Sequence, residues 1–179
     1  QGIHDHLWAR TLAFSDGRVA AAVVGLDLIS LSRVQVERIR ARVRERLAAV
    51  AGLPPVVPAG LLLCCSHTHS GPVTNHFRGW GHADQAYVDA LVEKVAAGVQ
   101  TAFERLTPCR LSYGEAPLQV GCNRRLDHAD GTAHMAPHPD GPVDTVVRVL
   151  CVTAAETGAR LGVLFVHGCH AVVLHRSTR

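Results

Sequence analysis

The chain has 179 residues, 47% of them apolar and 18% charged, with a formal charge of +3; that much apolar material suits a globular domain with a buried core and excludes a disordered chain. No run approaches the roughly 18 uninterrupted apolar residues of a membrane-spanning helix, and nothing near Gln1 has the basic, apolar, small-residue order of a signal peptide. The positive balance is almost all arginine, and aromatics at 4% leave few side chains for base stacking, so no nucleic-acid partner is expected.

Apolar runs alternate with helical patterns, which predicts an α/β fold: a mixed β-sheet with flanking helices. Leu7 to Phe14 reads as a strand, Asp16-Gly17 as a turn and Val19 to Leu28 as a second strand buried on both faces, together a hairpin. Ser32 to Val50 is the clearest helix. Ser32 and Gln35 have capping-box spacing, Val36, Ile39, Val43, Leu47 and Val50 recur on one face, and Gly52-Leu53-Pro54-Pro55 ends it. Six arginines on its other face read as a solvated surface partly balanced by Glu37 and Glu45. Leu61 to Cys65 is a short buried strand, followed by a loop rich in Gly, His and Trp to Ala83. A second helix runs from about Asp84 to Arg105, with Val88, Leu91, Val92, Val95, Val99 and Phe103 turned inward. Further strands are expected over Arg110 to Gly114, Val146 to Thr153 and Leu161 to Val166, around a polar loop from Asn123 to Pro142 without periodicity. The six cysteines form no CxxC pair, and they read as small buried hydrophobes in preference to a disulfide framework.

The most informative stretch is His67-Thr68-His69. In extended backbone, residues i and i+2 leave on one side, so both imidazoles should converge beyond the strand that precedes them. That arrangement suits a metal, or one metal-binding histidine beside one that moves a proton; a pair of hydrogen-bonded loop histidines is the other reading. His167-Gly168-Cys169-His170 follows the apolar run Leu161 to Val166 in the same way. If the two strands are parallel neighbours, their ends share one sheet edge and build a metal site at strand ends. Cys169 is then a soft ligand or a packed thiol, Asp27 an orienting carboxylate for His67 or a helix-entry or turn residue, and Ser70 a turn former before Gly71-Pro72. His76, Trp80 and His82 fall in a loop that could wall a cleft, and His134 and His138 look solvated.

Six stretches taken in order, Gly2-Ile3-His4-Asp5, Gly25-Leu26-Asp27-Leu28, Ser66-His67-Thr68-His69-Ser70-Gly71-Pro72, Asn123-Arg124-Arg125, Asp140-Gly141-Pro142-Val143-Asp144 and Cys169-His170, resemble the N-terminal domain of the neutral/alkaline non-lysosomal ceramidases. The likeness runs nearly end to end, and the H-T-H-S-G-P block is its most specific element. The resemblance implies a zinc-dependent amidohydrolase that cleaves the amide of an N-acyl amine such as N-acylsphingosine. It implies His67 and His170 as Zn2+ ligands, His69 as the proton-transfer histidine and Arg124 as an active-site arginine. It further implies a Glu and a Tyr from later in a longer chain as the remaining ligands, so residues 1–179 are expected to be the N-terminal part of one catalytic domain, inactive alone and prone to associate. A lipid-like substrate, peripheral membrane contact to reach it and export to the periplasm or outside the cell follow from the same likeness. A related zinc hydrolase acting on another amide, and a non-catalytic metal-binding module, are the alternatives. Without the resemblance, Arg124 would read as a loop arginine paired with Asp127.

Overall fold

The computed structural model describes residue 3, residues 5–79 and residues 81–171. Gly2, His4, Trp80 and the end of the apolar run at 172–174 lie outside the described residues. The chain forms two compact units, Gln1–Leu106 with Ala171–Arg179, and Thr107–His170.

The first unit begins with the expected hairpin, β1 (Ala9–Ser15) antiparallel to β2 (Ala20–Leu26). Its turn is closed by the Asp16 carboxylate, which accepts from the N–H groups of Val19 and Arg18 at 2.9 and 2.8 Å while Gly17 takes φ +85°. In β2 alternate residues are buried, Ala20, Ala22, Val24 and Leu26, whereas Gly25 is exposed, so one face carries the core where two had been expected to. β3 (Val56–Cys65) pairs parallel with β2 in the order β1-β2-β3, which makes the sheet mixed.

Between them α1 (Arg33–Leu47) starts at Ser32 with both hydrogen bonds of the capping box formed. It buries Gln35, Ile39, Val43 and Leu47, four residues apart, one stripe along the cylinder. The second helix, α2 (Gln85–Glu104), is capped by Asp84 and buries Val88, Val92, Val95, Ala96, Val99 and Phe103. These two stripes and the inner face of β2 make one apolar cluster, with Val24, Ile39, Ala96 and Val99 fully buried. Val24, Ile39 and Val99 each contribute roughly 1.5–3 kcal/mol on burial.

Glu37 and Glu45 balance the arginine face of α1 as expected, through Arg40 at 3.3 Å and Arg42 at 2.9 Å, and three of its arginines also reach the second helix. Arg38 pairs with Asp89, and Arg42 and Arg46 pair with Glu93 at 2.7 and 3.1 Å, all across to α2. Positions 38, 42 and 46 are four apart and so share one ridge facing the second helix. Hydrogen bonds from Arg42 and Arg46 hold the Glu93 carboxylate below its ordinary range, and Arg38 does the same for Asp89.

The second unit contains β4 (Cys109–Pro117), β7 (Val146–Ala154) and β8 (Arg160–Val166) in an antiparallel sheet of order β4-β7-β8, and a separate hairpin of β5 (Asn123–Asp127) with β6 (Ala133–His138). The stretch from 123 to 142, expected to be an irregular loop, thus holds two strands. They are short and polar, so no apolar alternation announces them. The expected parallel pairing of the strands ending at Cys65 and Val166 does not occur, since β3 and β8 belong to different sheets. β7 and β8 are joined by residues 155–159 alone, and a connection that short allows only antiparallel pairing.

All six cysteines are free thiols, and Cys64, Cys109, Cys122 and Cys169 are exposed, which corrects the buried-hydrophobe reading for those positions. Cys65 and Cys151 are partly buried. Among the described residues no helix is long and apolar enough to cross a membrane.

Candidate metal centre

Hydrogen bonding from β3 toward β2 continues past the strand's last residue. The N–H of Ser66 donates to Leu26 O at 2.9 Å, and that of His67 to Leu28 O at 3.0 Å. His67 then adopts φ +61°, the one non-glycine residue described with a left-handed backbone. That conformation costs a β-carbon-bearing residue roughly 1–2 kcal/mol. Backbone strain of this kind persists where the surroundings over-determine it, and sites of function are where it gathers.

The His67 ring meets the Ile29 carbonyl through Nδ1 at 2.9 Å. A carbonyl oxygen only accepts, so Nδ1 carries the proton, and in the neutral ring Nε2 is the nitrogen that bears the lone pair. This is the orientation that commits an imidazole to binding a metal through Nε2, with a backbone carbonyl fixing the tautomer. The ring of His69 lies edge-on to that of His67, with centroids 5.2 Å apart and planes at 69°. The two imidazoles do come together, as expected, but by another route. The alternation of an extended strand does not carry it, because the strand has ended and the backbone turns left-handed at His67.

Several contacts hold the loop that follows. Thr74, fully buried, donates through its hydroxyl to Ser30 O at 2.6 Å and accepts on its own carbonyl from the side chain of Gln35. Asn75 Nδ2 donates to Ser30 Oγ at 2.8 Å. Ser70 donates its N–H to Thr68 Oγ1 at 3.2 Å, in keeping with a turn. Farther along, the rings of His76 and His82 stack with centroids 5.1 Å apart, beside the bridge between Phe77 and Gly81. Asp27 takes the turn role. Its carboxylate accepts from Trp8 N at 2.9 Å and lies 3.6 Å from Arg10, tying β1 to the end of β2, while the carbonyl of Ile29, which no sequence pattern could flag, orients His67.

In the second unit His170 follows β8 by four residues and is half-buried. Nδ1 of His167 meets the Val146 carbonyl at 3.4 Å, and the N–H of Cys169 donates to His167 O at 3.1 Å, folding the segment back toward the start of β7. Asp144 supports that turn. Its carboxyl is held below the usual range, first by Arg148 and then by the N–H of Val146. Cys169 is exposed, and its sulfur would lie 3.4 Å from a β-carbon placed on Gly121.

Arg124 sits in β5 at a break in register. Asn123 pairs with His138 and Arg125 with Met135, so Arg124 alone stands opposite two residues of β6, Ala136 and Pro137. Asp127 pairs with Arg125 at 3.1 Å and not with Arg124. Of the two histidines expected to be solvated, His134 is exposed and packs edge-on against His128 at 4.0 Å, whereas His138 is partly buried and hydrogen-bonded to Arg125 O at 2.8 Å.

The class these features define is that of α/β chains with candidate metal ligands beyond strand ends, His67 and His69 after β3 in the first unit and His170 after β8 in the second. The comparisons narrow it. The chain superposes on the crystal structure of neutral ceramidase from Pseudomonas aeruginosa with a TM-score of 0.68 and 25% identity, over 92% of this chain and 26% of that one. A ceramidase complexed with C2 matches with a TM-score of 0.62 and 27% identity over the same shares. No family model and no curated protein matches the chain. The resemblance carried by the sequence motifs therefore holds in three dimensions, and the backbone is a ceramidase-related fold. It spans about a quarter of the length of those ceramidases.

Proposed function

We propose that this chain contributes the histidine side of a zinc centre in an amidohydrolase that cleaves an N-acyl amine, with N-acylsphingosine as the reference substrate. The observation that carries the reading is the orientation of His67, whose Nδ1 meets Ile29 O and so makes Nε2 the nitrogen that would ligate a metal, on a ceramidase-related backbone. His67 and His170 would hold the ion, and the rest of the complete protein would supply the remaining ligands that a catalytic zinc requires. Bound zinc supplies Lewis acidity, polarising the amide carbonyl and acidifying water. His69, beside His67, is assigned proton transfer to the departing amine. Arg124 is assigned the oxygen that gains charge as the amide is attacked.

The chain is in this reading one part of a larger catalytic domain. Its substrate is amphiphilic and lies in a bilayer, so the complete enzyme works at a membrane surface, as an exported protein. The test is hydrolysis of a short-chain N-acylsphingosine by the complete protein, with and without a chelator. Turnover abolished by chelation and restored by Zn2+ is expected; chelator-insensitive turnover would overturn the mechanism.

A further inference from the structure

Two motifs separated in sequence, Asn123-Arg124-Arg125 and Asp140-Gly141-Pro142, meet at the base of the β5–β6 hairpin. The Asn123 side chain lies at the centre. Its Oδ1 accepts from the N–H of Arg125 at 2.8 Å, and its Nδ2 donates to the carbonyl of Pro142 at 2.9 Å. Across the pair, Nδ1 of His138 meets the Arg125 carbonyl at 2.8 Å, and since that oxygen only accepts, Nδ1 carries the proton. Both backbone polar groups of Arg125 are therefore engaged by side chains at the point where β6 carries its extra residue. Pro137 has no N–H to offer the ladder, so the pairing is interrupted opposite Arg124, between Asn123↔His138 and Arg125↔Met135.

Gly141 lets the assembly close. It is buried, donates its N–H to His138 O at 3.0 Å, and has no room for a side chain. A β-carbon there would stand 2.7 Å from Cγ and 2.8 Å from Cβ of Asn123, and 2.9 Å from Nδ1 of His138. None of these atoms is the loose end of a flexible side chain, because Asn123 and His138 are both tethered by the hydrogen bonds just described. Any residue larger than glycine would thus break the bonds to Arg125.

We propose that Asn123, His138 and Gly141 form a clamp whose task is to position Arg124. The N–H that Asn123 Oδ1 holds belongs to the peptide joining Arg124 to Arg125, so the bond fixes ψ of Arg124. Along a strand successive side chains leave on opposite faces, and Arg124 is therefore directed away from the face on which Asn123 and Arg125 lie. The three are positioning residues and act through Arg124. The proposal rests on the assignment of Arg124 to the active site and adds to it what aims the guanidinium.

The test uses the complete protein with Asn123→Ala, Gly141→Ala and Arg124→Ala, and the Asn123→Ala/Arg124→Ala double variant. Asn123→Ala should lower kcat about 10- to 100-fold with KM changed less than about threefold and zinc content intact. In the Arg124→Ala background the same change should cost less than about twofold, because the group being aimed is gone. Hydrogen exchange of the peptide covering residues 122–128 should speed at least about tenfold in both Asn123→Ala and Gly141→Ala. Equal losses with and without Arg124, full activity of Arg124→Ala, or unchanged exchange in Asn123→Ala would each overturn the clamp. A parent protein lacking chelator-sensitive hydrolysis would instead defeat the proposed function, and exchange alone would then decide whether the clamp exists.

Discussion

Replacing Gln35 by Leu keeps volume and apolar packing but removes two hydrogen bonds, one within the cap of α1 and one that joins α1 to the loop beyond the candidate metal ligands. In the native chain Gln35 is 8% exposed. Its Oε1 accepts from the N–H of Ser32 at 2.9 Å, and its Nε2 donates to Thr74 O. The reverse half of the capping box, Gln35 N to Ser32 Oγ at 3.2 Å, survives the substitution. Losing the Ser32 contact costs about 0.5–1 kcal/mol, the lower part of the range for helix caps. The carbonyl of Thr74, a fully buried residue, would be left without its donor at about 1–3 kcal/mol. The sum is about 1.5–4 kcal/mol, or roughly a 10- to 700-fold change in the unfolding equilibrium by the usual conversion of about 1.4 kcal/mol per decade. Chemical denaturation followed by circular dichroism measures it, with the m-value expected unchanged. Val34→Ala, at a 70% exposed position on the same helix, serves as control and should stay within about 0.5 kcal/mol. A loss below about 0.5 kcal/mol in Gln35→Leu would refute the claim that the side chain satisfies buried groups.

In the complete protein His67→Ala and His170→Ala should lose both zinc and amidase activity, while His69→Ala keeps zinc and loses activity; metal analysis of each purified variant decides, and a zinc-free His69→Ala would mean that His69 is a ligand. The left-handed backbone of His67 predicts that His67→Gly, compared without metal, is more stable than His67→Ala by about 1 kcal/mol, and equal melting would show that the turn is not strained. Ile39→Ala, at the centre of the cluster formed by α1, α2 and β2, should cost about 2–5 kcal/mol in denaturant unfolding. Glu93 is held below the ordinary glutamate value of 4.5 by Arg42 and then Arg46, so its folded-state pKa lies under its unfolded one. Its contribution is complete above the unfolded value and is lost as pH falls through the folded one; Glu93→Gln should therefore destabilise at pH 7 yet flatten the acid limb below about pH 4.5, read from unfolding midpoints against pH.

Much of this architecture could be read from local pattern, because local pattern reports what a segment buries. The 3.6-residue spacing of Ile39, Val43 and Leu47, the Ser32–Gln35 cap, and the apolar runs of β2, β3, β7 and β8 each carry their own signal, and each element formed within a few residues of its expected limits except β3, which starts at Val56, five residues before the expected Leu61. The His67-Thr68-His69 and Cys169-His170 blocks likewise identified the ceramidase-related fold that the superposition shows. Partnership between distant segments was not legible. Nothing in the run Leu161 to Val166 says that it pairs with β7 in a separate antiparallel sheet and not beside β3; the five-residue connection decides that through chain geometry. Polar strands such as β5 and β6 leave no hydrophobic period to detect, so the hairpin and the Asn123, His138 and Gly141 knot at its base came only from tertiary structure. The orientation of His67 is of the same kind. A left-handed turn and a backbone carbonyl at Ile29 set it, and a carbonyl is present at every residue, so only the folded chain can say which one matters.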